Sequence, residues 1–340
     1  MKNKEQTASF PSALWHGKPY YSLDAYLKNT YGEKIYKVAL NAGLTCPNRD
    51  GRLDTRGCIF CSKGGSGDFA APLSSPEEFR AAFLSGRRRL AYKTAGAKFI
   101  AYFQAYTNTY GPVSYLEAIY RVALEDDSVA GISIATRPDC LPEEVLALLK
   151  KLKEDYPHKF IWLELGLQTI REQSAVFIRR GYSLSCFEAA LDALHDLSLP
   201  VIVHLILGLP GETKADTLSA ISYLNRLPVW GIKLQLLHIL KDTDLAELYF
   251  ENPQKICAFP DKEAYLDLLI SCIEHLRPDM ILHRVTGDAP KSLLIAPLWS
   301  GDKRGVLNAL HRTMKEQGTF QGRLYNEERM VYHAGPTDTL

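Results

Sequence analysis

The sequence has no long hydrophobic run, and this absence excludes two classes of protein. No stretch approaches the roughly 18 apolar residues that a membrane-spanning helix needs. The first 21 residues lack the apolar core of a secretory signal peptide, so we expect a cytoplasmic protein without a membrane partner. The chain also lacks an excess of charge. Its net charge is +1, so any basic surface for nucleic acid must be local.

The cysteines lack the pattern of a disulfide-stabilised protein. There are seven, an odd number, and Cys140, Cys186, Cys257 and Cys272 stand alone. We interpret these four as small buried hydrophobic residues. The chain has 340 residues, of which 46% are hydrophobic, so it can bury a large core. That core belongs either to one domain of barrel size or to a core domain with an appendage.

Short apolar runs alternate with amphipathic ones along most of the chain. The apolar runs predict strands at 34–40, 97–103, 129–136, 160–167, 200–209, 231–240 and 279–285. Helical spacing predicts helices at 74–93, 141–155, 183–198, 212–227 and 303–318. In the first helix we expect Ser75 as N-cap and Pro76 in the first turn. Strands that are apolar nearly throughout are typical of a parallel sheet covered on both faces.

Repeated strand–helix units of about 30 residues favour a parallel α/β architecture, either an open doubly wound sheet or a barrel. No G-x-G-x-x-G follows the first strand, which weakens the dinucleotide-binding form of the open sheet. We predict a partial (βα)6-type TIM-like barrel of parallel strands with a C-terminal α-rich extension. The predicted divisions are an N-terminal extension over 1–33, the barrel core over 34–242, and an extension over 243–340 that completes the substrate side.

Three cysteines lie together after the first predicted strand, at the end of a barrel where active residues gather. Cys46, Cys58 and Cys61 fall within the segment 41–62, "NAGLTCPNRDGRLDTRGCIFCS", which we call the cluster loop. A tetrahedral zinc site needs a fourth ligand, and no further cysteine or histidine stands nearby. A [4Fe-4S] cluster needs only three thiolates if its fourth iron binds S-adenosylmethionine. The spacing alone leaves a cluster, a zinc site and unrelated thiols open.

The chain resembles the radical S-adenosylmethionine enzymes over roughly residues 18–310. Phe60 precedes the last cysteine, as in their C-x3-C-x2-C signature, although eleven residues separate Cys46 from Cys58. Such expanded loops resemble the branch that includes the catalytic subunit of elongator and the oxygen-independent coproporphyrinogen oxidases. The "CPNRDG…GCIFC" pattern is similar to one bacterial subfamily. The resemblance continues in "YFQAYTNTY" (102–110), "SIATRPDCL" (133–141), "LELGLQT" (163–169) and "HLILGLPGET" (204–213).

The resemblance implies a cluster on Cys46, Cys58 and Cys61, with S-adenosylmethionine as the source of a 5′-deoxyadenosyl radical. The positions implied for cofactor binding are Phe60, Gln104, Ala105, Tyr106, Thr136, Glu164, Gln168, His204 and Gly208. Residues 104–106 replace the family's usual Gly-Gly-Glu, so backbone carbonyls would stand in for a carboxylate. Each residue taken singly is equally compatible with a structural role, such as Glu164 paired with a core arginine or Gly208 in a turn.

The substrate should enter beside the last strands and the C-terminal region. Candidate contacts are Arg49, Lys233, Gln235, His238, Arg284, Asp288 and Trp299. His238 is equally well explained as a buried ring satisfied by the backbone, and Arg284 and Asp288 as partners of each other. Arg49, with Arg52 and Arg56, either positions an anionic substrate or only shapes the cluster loop.

Two basic segments are compatible with an RNA surface, although either one taken alone is more typical of a solvated helix face. They contain Arg87, Arg88, Arg89, Tyr92, Lys93 and Lys98 in the first, and Lys303, Arg304, Arg312 and Lys315 in the second. Relatives in the resembled branch modify the wobble uridine of tRNA. The resemblance therefore favours tRNA as substrate, with flavodoxin or ferredoxin as the electron donor.

The expected reaction is abstraction of hydrogen from a C5 side chain of that uridine, of the carboxymethylaminomethyl type. Too few residues follow the core for an acetyltransferase domain, so we do not expect an acetyl-coenzyme-A-dependent reaction. Two other functions stay open. One is a radical enzyme for a small anionic metabolite, as in the coproporphyrinogen oxidases, and the other is a zinc-stabilised RNA-binding protein without catalysis.

Overall fold

The structure of the chain, a computed structural model, describes residues 13–90 and 97–326. The strands are β1 (Tyr36–Asn41), β2 (Ala71–Pro72), β3 (Phe99–Phe103), β4 (Val129–Thr136), β5 (Phe160–Gln168), β6 (Val201–Leu207), β7 (Gly231–Leu236), β8 (Ile239–Leu240), β9 (Ile281–Arg284) and β10 (Leu294–Ala296). The helices are α1 (Leu23–Tyr31), α2 (Phe79–Arg88), α3 (Val113–Glu125), α4 (Glu143–Asp155), α5 (Glu172–Phe177), α6 (Leu184–Asp196), α7 (Lys214–Asn225), α8 (Asp244–Glu251), α9 (Pro253–Ile256), α10 (Lys262–His275) and α11 (Lys303–Glu316).

The strands form one large parallel sheet and one small antiparallel pair. The large sheet has the order β2-β1-β3-β4-β5-β6-β7-β9, and each neighbouring pair is parallel. The pair β8–β10 stands outside it and is antiparallel. Helices connect most successive strands, with α8 to α10 between β8 and β9 and α11 after β10. The fold is therefore the partial TIM-like barrel predicted from the sequence, with its C-terminal helical extension.

Alternation along the strands separates an outer apolar layer from a polar interior. In β5, Leu163, Leu165 and Leu167 belong to the main hydrophobic core, whereas Glu164 and Gln168 line an interior cavity. The same alternation holds in β6 and β7, whose buried valines and leucines pack outward against the helices. One face of each strand thus stabilises the fold, and the other is free to present polar groups.

Aromatic side chains fill the barrel near the N-terminal ends of the strands. The rings of Trp162 and Trp230 lie 4.7 Å apart, and Tyr26 meets Trp230 edge-on at 5.0 Å. Tyr26 comes from α1, a helix that the sequence analysis did not predict. The Ser22 side chain accepts from the Ala25 amide at its start, and Gly32 ends it with a φ of 73°. This apolar floor closes the bottom of the barrel, so the polar cavity opens toward the other end.

The structure corrects two expectations about local structure. The strand predicted over 231–240 is wrong beyond Leu236, because the chain turns there and β8 pairs with β10 outside the main sheet. The helix predicted over 74–93 begins as a 3-10 turn over Pro76–Glu78, followed by α2, and the Ser75 side chain makes no capping hydrogen bond. Its predicted end near residue 93 lies outside the described residues. No described helix has the length and apolar character that crossing a membrane requires.

Candidate active site

A cavity of about 230 Å³ opens at the C-terminal ends of the barrel strands. The cluster loop and the ends of β3 to β7 and β9 supply its lining. It brings together most of the residues singled out in the sequence: Cys46, Arg49, Cys58, Phe60, Cys61, Gln104, Tyr106, Thr136, Glu164, Gln168, His204, Lys233, Gln235, His238, Arg284 and Asp288. The roles of these residues stay predictions, but the fold does bring their side chains together around one cavity.

Three of the predicted positions lie outside this lining. The Ala105 carbonyl accepts a hydrogen bond from Asn108 Nδ2 at 3.1 Å. Gly208 has a φ of 86°, and a side chain there would overlap the Phe259 ring. Trp299 Nε1 donates to the Phe259 carbonyl at 3.2 Å. The structure therefore gives Gly208 and Trp299 packing contacts rather than a place in the cavity.

The three thiols of the cluster loop each face a protein donor. Asn48 Nδ2 lies 3.4 Å from Cys58 Sγ, and the Arg137 guanidinium lies 4.0 Å from Cys46 Sγ. The Ser66 hydroxyl lies 3.9 Å from Cys61 Sγ. Such donors favour a thiolate and tune any iron bound to it. The sequence analysis assigned no role to Asn48. The sequence feature that could have identified Asn48 is its position two residues after Cys46, a candidate ligand.

Arg49 shapes the cluster loop, which is one of the two roles left open by the sequence. Its guanidinium donates to the carbonyls of Cys61 and Ser62 at 2.8 and 2.7 Å. It lies against Gly57, where a Cβ atom would come within 2.8 Å of Arg49 Nε. The other two loop arginines are more exposed: Arg56 pairs with Asp54, and Arg52 lies over the Tyr110 ring. A contact from Arg49 to substrate stays a prediction.

A buried charge network lies on the inner face of the barrel, at one side of the cavity. The Glu164 side chain has no exposed surface, and its carboxylate accepts hydrogen bonds from Lys37 and His204, each at 2.8 Å. Ser133 donates to it at 2.7 Å, and Lys233 donates to it as well. Lys233 also donates to the Tyr102 hydroxyl at 2.9 Å. Glu164 is thus paired with core lysines, where the sequence analysis had considered a core arginine.

The charges of this network follow from its burial. Burial opposes ionisation of Glu164, but Lys233 and Lys37 outweigh it and hold the pKa of the carboxyl well below its usual range. Burial lowers the pKa of His204 to about 4, and Lys233 adds to the effect. His204 is therefore neutral at pH 7 and donates one N–H to the carboxylate. One negative charge is shared between two lysines.

Sequence reasoning missed Lys37 and Tyr102 in this network. Both lie on predicted strands, and alternation places them on the inner face, next to each other across β1 and β3. The Lys37 ammonium lies 4.7 Å from the centre of the Tyr102 ring. A lysine within an otherwise apolar strand was the available signal, because a buried ammonium needs a partner.

Comparison with known proteins shows the family. The family model of the Radical SAM superfamily matches residues 54–224, and that of the Radical SAM C-terminal domain matches residues 229–316. The YtqA protein of Bacillus subtilis is 39% identical over 308 residues, which cover 91% of this chain and 93% of YtqA. The chain belongs to the radical SAM superfamily.

Two further comparisons relate this radical SAM protein to larger proteins. A tRNA uridine(34) acetyltransferase of Methanocaldococcus jannaschii is 24% identical over 192 residues, which are 55% of this chain and 33% of that protein. The solved structure of Methanocaldococcus infernus Elp3, with an N-terminal deletion, matches with a TM-score of 0.61 and 15% identity. That match covers 84% of this chain and 64% of the other, and at such identity it establishes the shared fold alone.

Membership of the radical SAM superfamily implies a [4Fe-4S] cluster and S-adenosylmethionine, and the donor set fits the cluster. Among the described residues, no three His, Cys, Asp or Glu side chains are close enough to hold a single metal ion. The three thiols line one cavity and influence each other electrostatically. Burial raises the pKa of Cys58 to about 12, so iron would have to displace its proton.

The two basic segments of this radical SAM protein differ in their contacts. In the first, Arg89 donates to the Phe69 carbonyl at 2.8 Å and Lys98 to the Asp127 carbonyl at 2.7 Å. Tyr92 and Lys93 lie outside the described residues. In the second, Arg304, Arg312 and Lys315 are exposed on α11. Arg88, Arg89 and Lys98 are exposed as well, and Lys303 of the second segment pairs with Asp288, so both segments combine structural contacts with exposed cations.

Proposed function

We propose that this radical SAM protein is a tRNA-modifying enzyme that remodels a C5 side chain of the wobble uridine. The side chain is of the carboxymethylaminomethyl type, and the reaction uses a [4Fe-4S] cluster and S-adenosylmethionine. The observation that carries the proposal is the shared cavity, into which three thiols and a cationic group, Arg284, both open. The name of the Methanocaldococcus jannaschii relative, a tRNA uridine(34) acetyltransferase, supports the choice of substrate.

Each part of the cavity has a separate task in this proposal. Cys46, Cys58 and Cys61 would hold the cluster, while Arg49 keeps the loop in shape through the carbonyls of Cys61 and Ser62. When bound, the cluster supplies one electron to S-adenosylmethionine, which yields a 5′-deoxyadenosyl radical that abstracts hydrogen. Flavodoxin or ferredoxin is the proposed electron donor. The Glu164 network keeps the inner wall rigid, because both carboxylate oxygens are held by donors from other strands.

The test uses anaerobically reconstituted protein and tRNA from a strain that lacks the gene. We would incubate them with S-adenosylmethionine and a reductant, digest the tRNA, and separate the nucleosides by liquid chromatography with mass detection. We expect 5′-deoxyadenosine and one wobble nucleoside of changed mass. Both products should be lost in Cys58→Ala.

The matched control is Cys186→Ala, which removes a cysteine on α6 outside the cavity lining. It should keep both products. If the nucleosides stay unchanged while 5′-deoxyadenosine forms with a small carboxylated metabolite, the substrate is that metabolite and the tRNA proposal is wrong. If the protein binds one zinc per chain and no iron, the enzymatic proposal itself is wrong.

A further inference from the structure

Arg284 is the cation in the cavity lining whose charge has no partner in the described parts of the chain. The other lining arginines and the lining lysine are all hydrogen-bonded. Arg49 donates to backbone carbonyls, Arg137 donates twice to Asp139 at 2.8 Å, and Lys233 donates to Glu164. Arg180 donates to the carbonyls of Leu167 and Thr169. No described residue accepts a hydrogen bond from the Arg284 guanidinium.

The carboxylates that line the cavity are each engaged elsewhere. Glu164 is shared by Lys37 and Lys233, and Asp68 accepts from the Ser62 hydroxyl at 2.9 Å. Asp288 pairs with Lys303 at 2.9 Å. The pairing of Arg284 with Asp288, which the sequence left open, is therefore wrong. None of the lining carboxylates in the described residues is left as a counter-ion for Arg284, so an incoming anion can bind its guanidinium without displacing a protein partner.

Neutral donors stand beside this guanidinium. Arg284 pairs in register with Lys233 on β7, and Gln235 follows two residues later on the same face of that strand. The Gln235 amide has no hydrogen-bond partner in the described residues. His238 Nε2 is buried without a partner, which excludes the alternative of a ring fully satisfied by the backbone. Burial lowers the pKa of His238 to about 4, so the ring is neutral at pH 7 and carries one N–H.

The position of the His238 ring depends on Gly287. A Cβ atom at Gly287 would overlap the ring, so only the absence of a side chain lets the imidazole lie against this backbone. The arginine is the last residue of β9, and the segment that follows β9 supplies the glycine against which the histidine ring packs. A buried polar atom without a partner is costly to folding. Its retention in a cavity is understandable if a ligand completes the hydrogen bond.

We propose that Arg284, Gln235 and His238 form a subsite for a carboxylate of the substrate. One guanidinium and two neutral donors match a single negative charge with two oxygens. A phosphodiester of the tRNA backbone also carries one negative charge on two oxygens, and the comparison of two tRNAs with the same backbone distinguishes it from the carboxylate. The inference rests on the proposed function, because it assigns to this subsite the terminal carboxylate of the uridine side chain.

The first test measures discrimination between two tRNAs. One carries 5-carboxymethylaminomethyluridine at the wobble position, and the other carries 5-aminomethyluridine, which lacks the carboxylate. Dissociation constants are measured with cluster-loaded enzyme and S-adenosylmethionine but no reductant, so that no reaction occurs. We expect wild type to bind the carboxylated tRNA about 10- to 100-fold more tightly, the range for losing hydrogen bonds to a charged group. Arg284→Met should bind both alike, and Arg284→Lys should keep part of the preference.

Arg226→Met is the matched control, because Arg226 is exposed at the end of α7 and outside the cavity lining. It should show the preference of wild type. Equal binding of both tRNAs by wild type, or an unchanged preference in Arg284→Met, would overturn the subsite.

The second test needs neither tRNA nor a variant. Phenylglyoxal modifies accessible arginines, and peptide mass mapping gives the rate at each one in the cluster-loaded protein. Sodium acetate, as a minimal carboxylate, should slow the modification of Arg284 relative to sodium chloride at equal ionic strength, and leave Arg226 unaffected. Equal rates in both salts would refute the subsite. If acetate protects Arg284 but wild type binds neither tRNA, the subsite stands and the tRNA proposal fails.

Discussion

The buried charge network predicts a large effect of Glu164→Gln on stability. The substitution keeps the size of the side chain and removes its charge. It leaves Lys37 and Lys233 facing a neutral amide inside the barrel, where Glu164 has no exposed surface and Lys233 is 3% exposed. Ser133 and His204 can reverse their hydrogen bonds and accept from the amide, because a hydroxyl and a neutral imidazole both donate and accept. The ammonium groups of Lys37 and Lys233 can only donate hydrogen bonds, so they cannot adapt to the amide in this way.

The size of the effect follows from the geometry. At an effective dielectric constant of about 20, unit charges 2.8 Å apart, the Lys37–Glu164 distance, attract by about 6 kcal/mol before desolvation. Desolvation cancels much of this attraction, and removing one partner of a buried pair costs about 3–5 kcal/mol. Since Ser133 and His204 can adapt, we expect the free energy of unfolding to fall by about 3 kcal/mol.

The pH dependence separates lost charge from lost packing. In wild type, Glu164 has a lowered pKa, so its stabilisation is present above its unfolded value of about 4.3 and is lost as the pH falls. The ion pair with Lys233 also requires a charged ammonium, and burial holds the pKa of Lys233 well below its usual range, so this pair weakens as the pH rises above neutral. The penalty of Glu164→Gln should therefore be largest near neutral pH and shrink toward about pH 10.

Urea unfolding of anaerobically prepared protein, followed by tryptophan fluorescence, measures this penalty. Trp162, 1% exposed and close to Lys37, reports on the affected region. Glu263→Gln is the control, because this glutamate is 76% exposed and lies 3.7 Å from Lys262, a surface pair worth less than about 1 kcal/mol. A loss of unfolding free energy below about 1 kcal/mol for Glu164→Gln near neutral pH, or a loss that is equal near neutral pH and at about pH 10, would refute the ion-pair reasoning.

Three further predictions concern residues in or next to the cavity. Gly287→Ala should cost about 1–3 kcal/mol of unfolding free energy by overlap with the His238 ring, whereas Gly301→Ala, whose nearest side-chain atom would be 3.7 Å away, should be nearly neutral in urea unfolding. Burial lowers the pKa of His238 to about 4, so below about pH 6.5 the unfolded chain binds more protons than the folded one. Lowering the pH from about 8 to 6 should therefore reduce the unfolding free energy of wild type by about 0.8 kcal/mol more than that of His238→Asn. Equal reductions in urea unfolding would contradict a buried neutral ring. Asn48→Ala removes the donor 3.4 Å from Cys58 Sγ, so the reconstituted cluster should become harder to reduce in a potentiometric titration, and an unchanged potential would show that the contact is lost when iron binds.

Strand periodicity explains why so much of the fold could be predicted. The run over 129–136 coincides with β4, and the run over 160–167 differs from β5 by one residue. Both strands are central in the sheet and apolar on the outer face, so their pattern is strong. The sequence analysis missed α1 and β10, whose formation depends on packing against the barrel floor and against β8. Short elements at the periphery have weak local signals.

The site was predictable as a set of residues but not as a set of contacts. The order of the resembled motifs implied that Glu164 and His204 lie near the cofactor. It could not show that Lys37, from the first strand, reaches Glu164 across the barrel at 2.8 Å. Such contacts arise only when the sheet curls and joins strands that are distant in sequence. For the same reason, the sequence could not distinguish an Arg284 that pairs with Asp288 from one that stands free.

The contrast between Glu164 and Arg284 connects the fold to the proposed reaction. Both are charged groups within one partly enclosed cavity, and charges removed from water destabilise a protein unless they are paired. The chain resolves this cost for Lys37 and Lys233 by sharing Glu164 between them, and for Arg137 and Arg180 with Asp139 and backbone carbonyls. Arg284 is the exception among the described lining arginines and lysine: it has no protein partner and is half-exposed, so water solvates its charge. An arginine that lines the cavity without a protein partner is understandable if its partner arrives with the substrate.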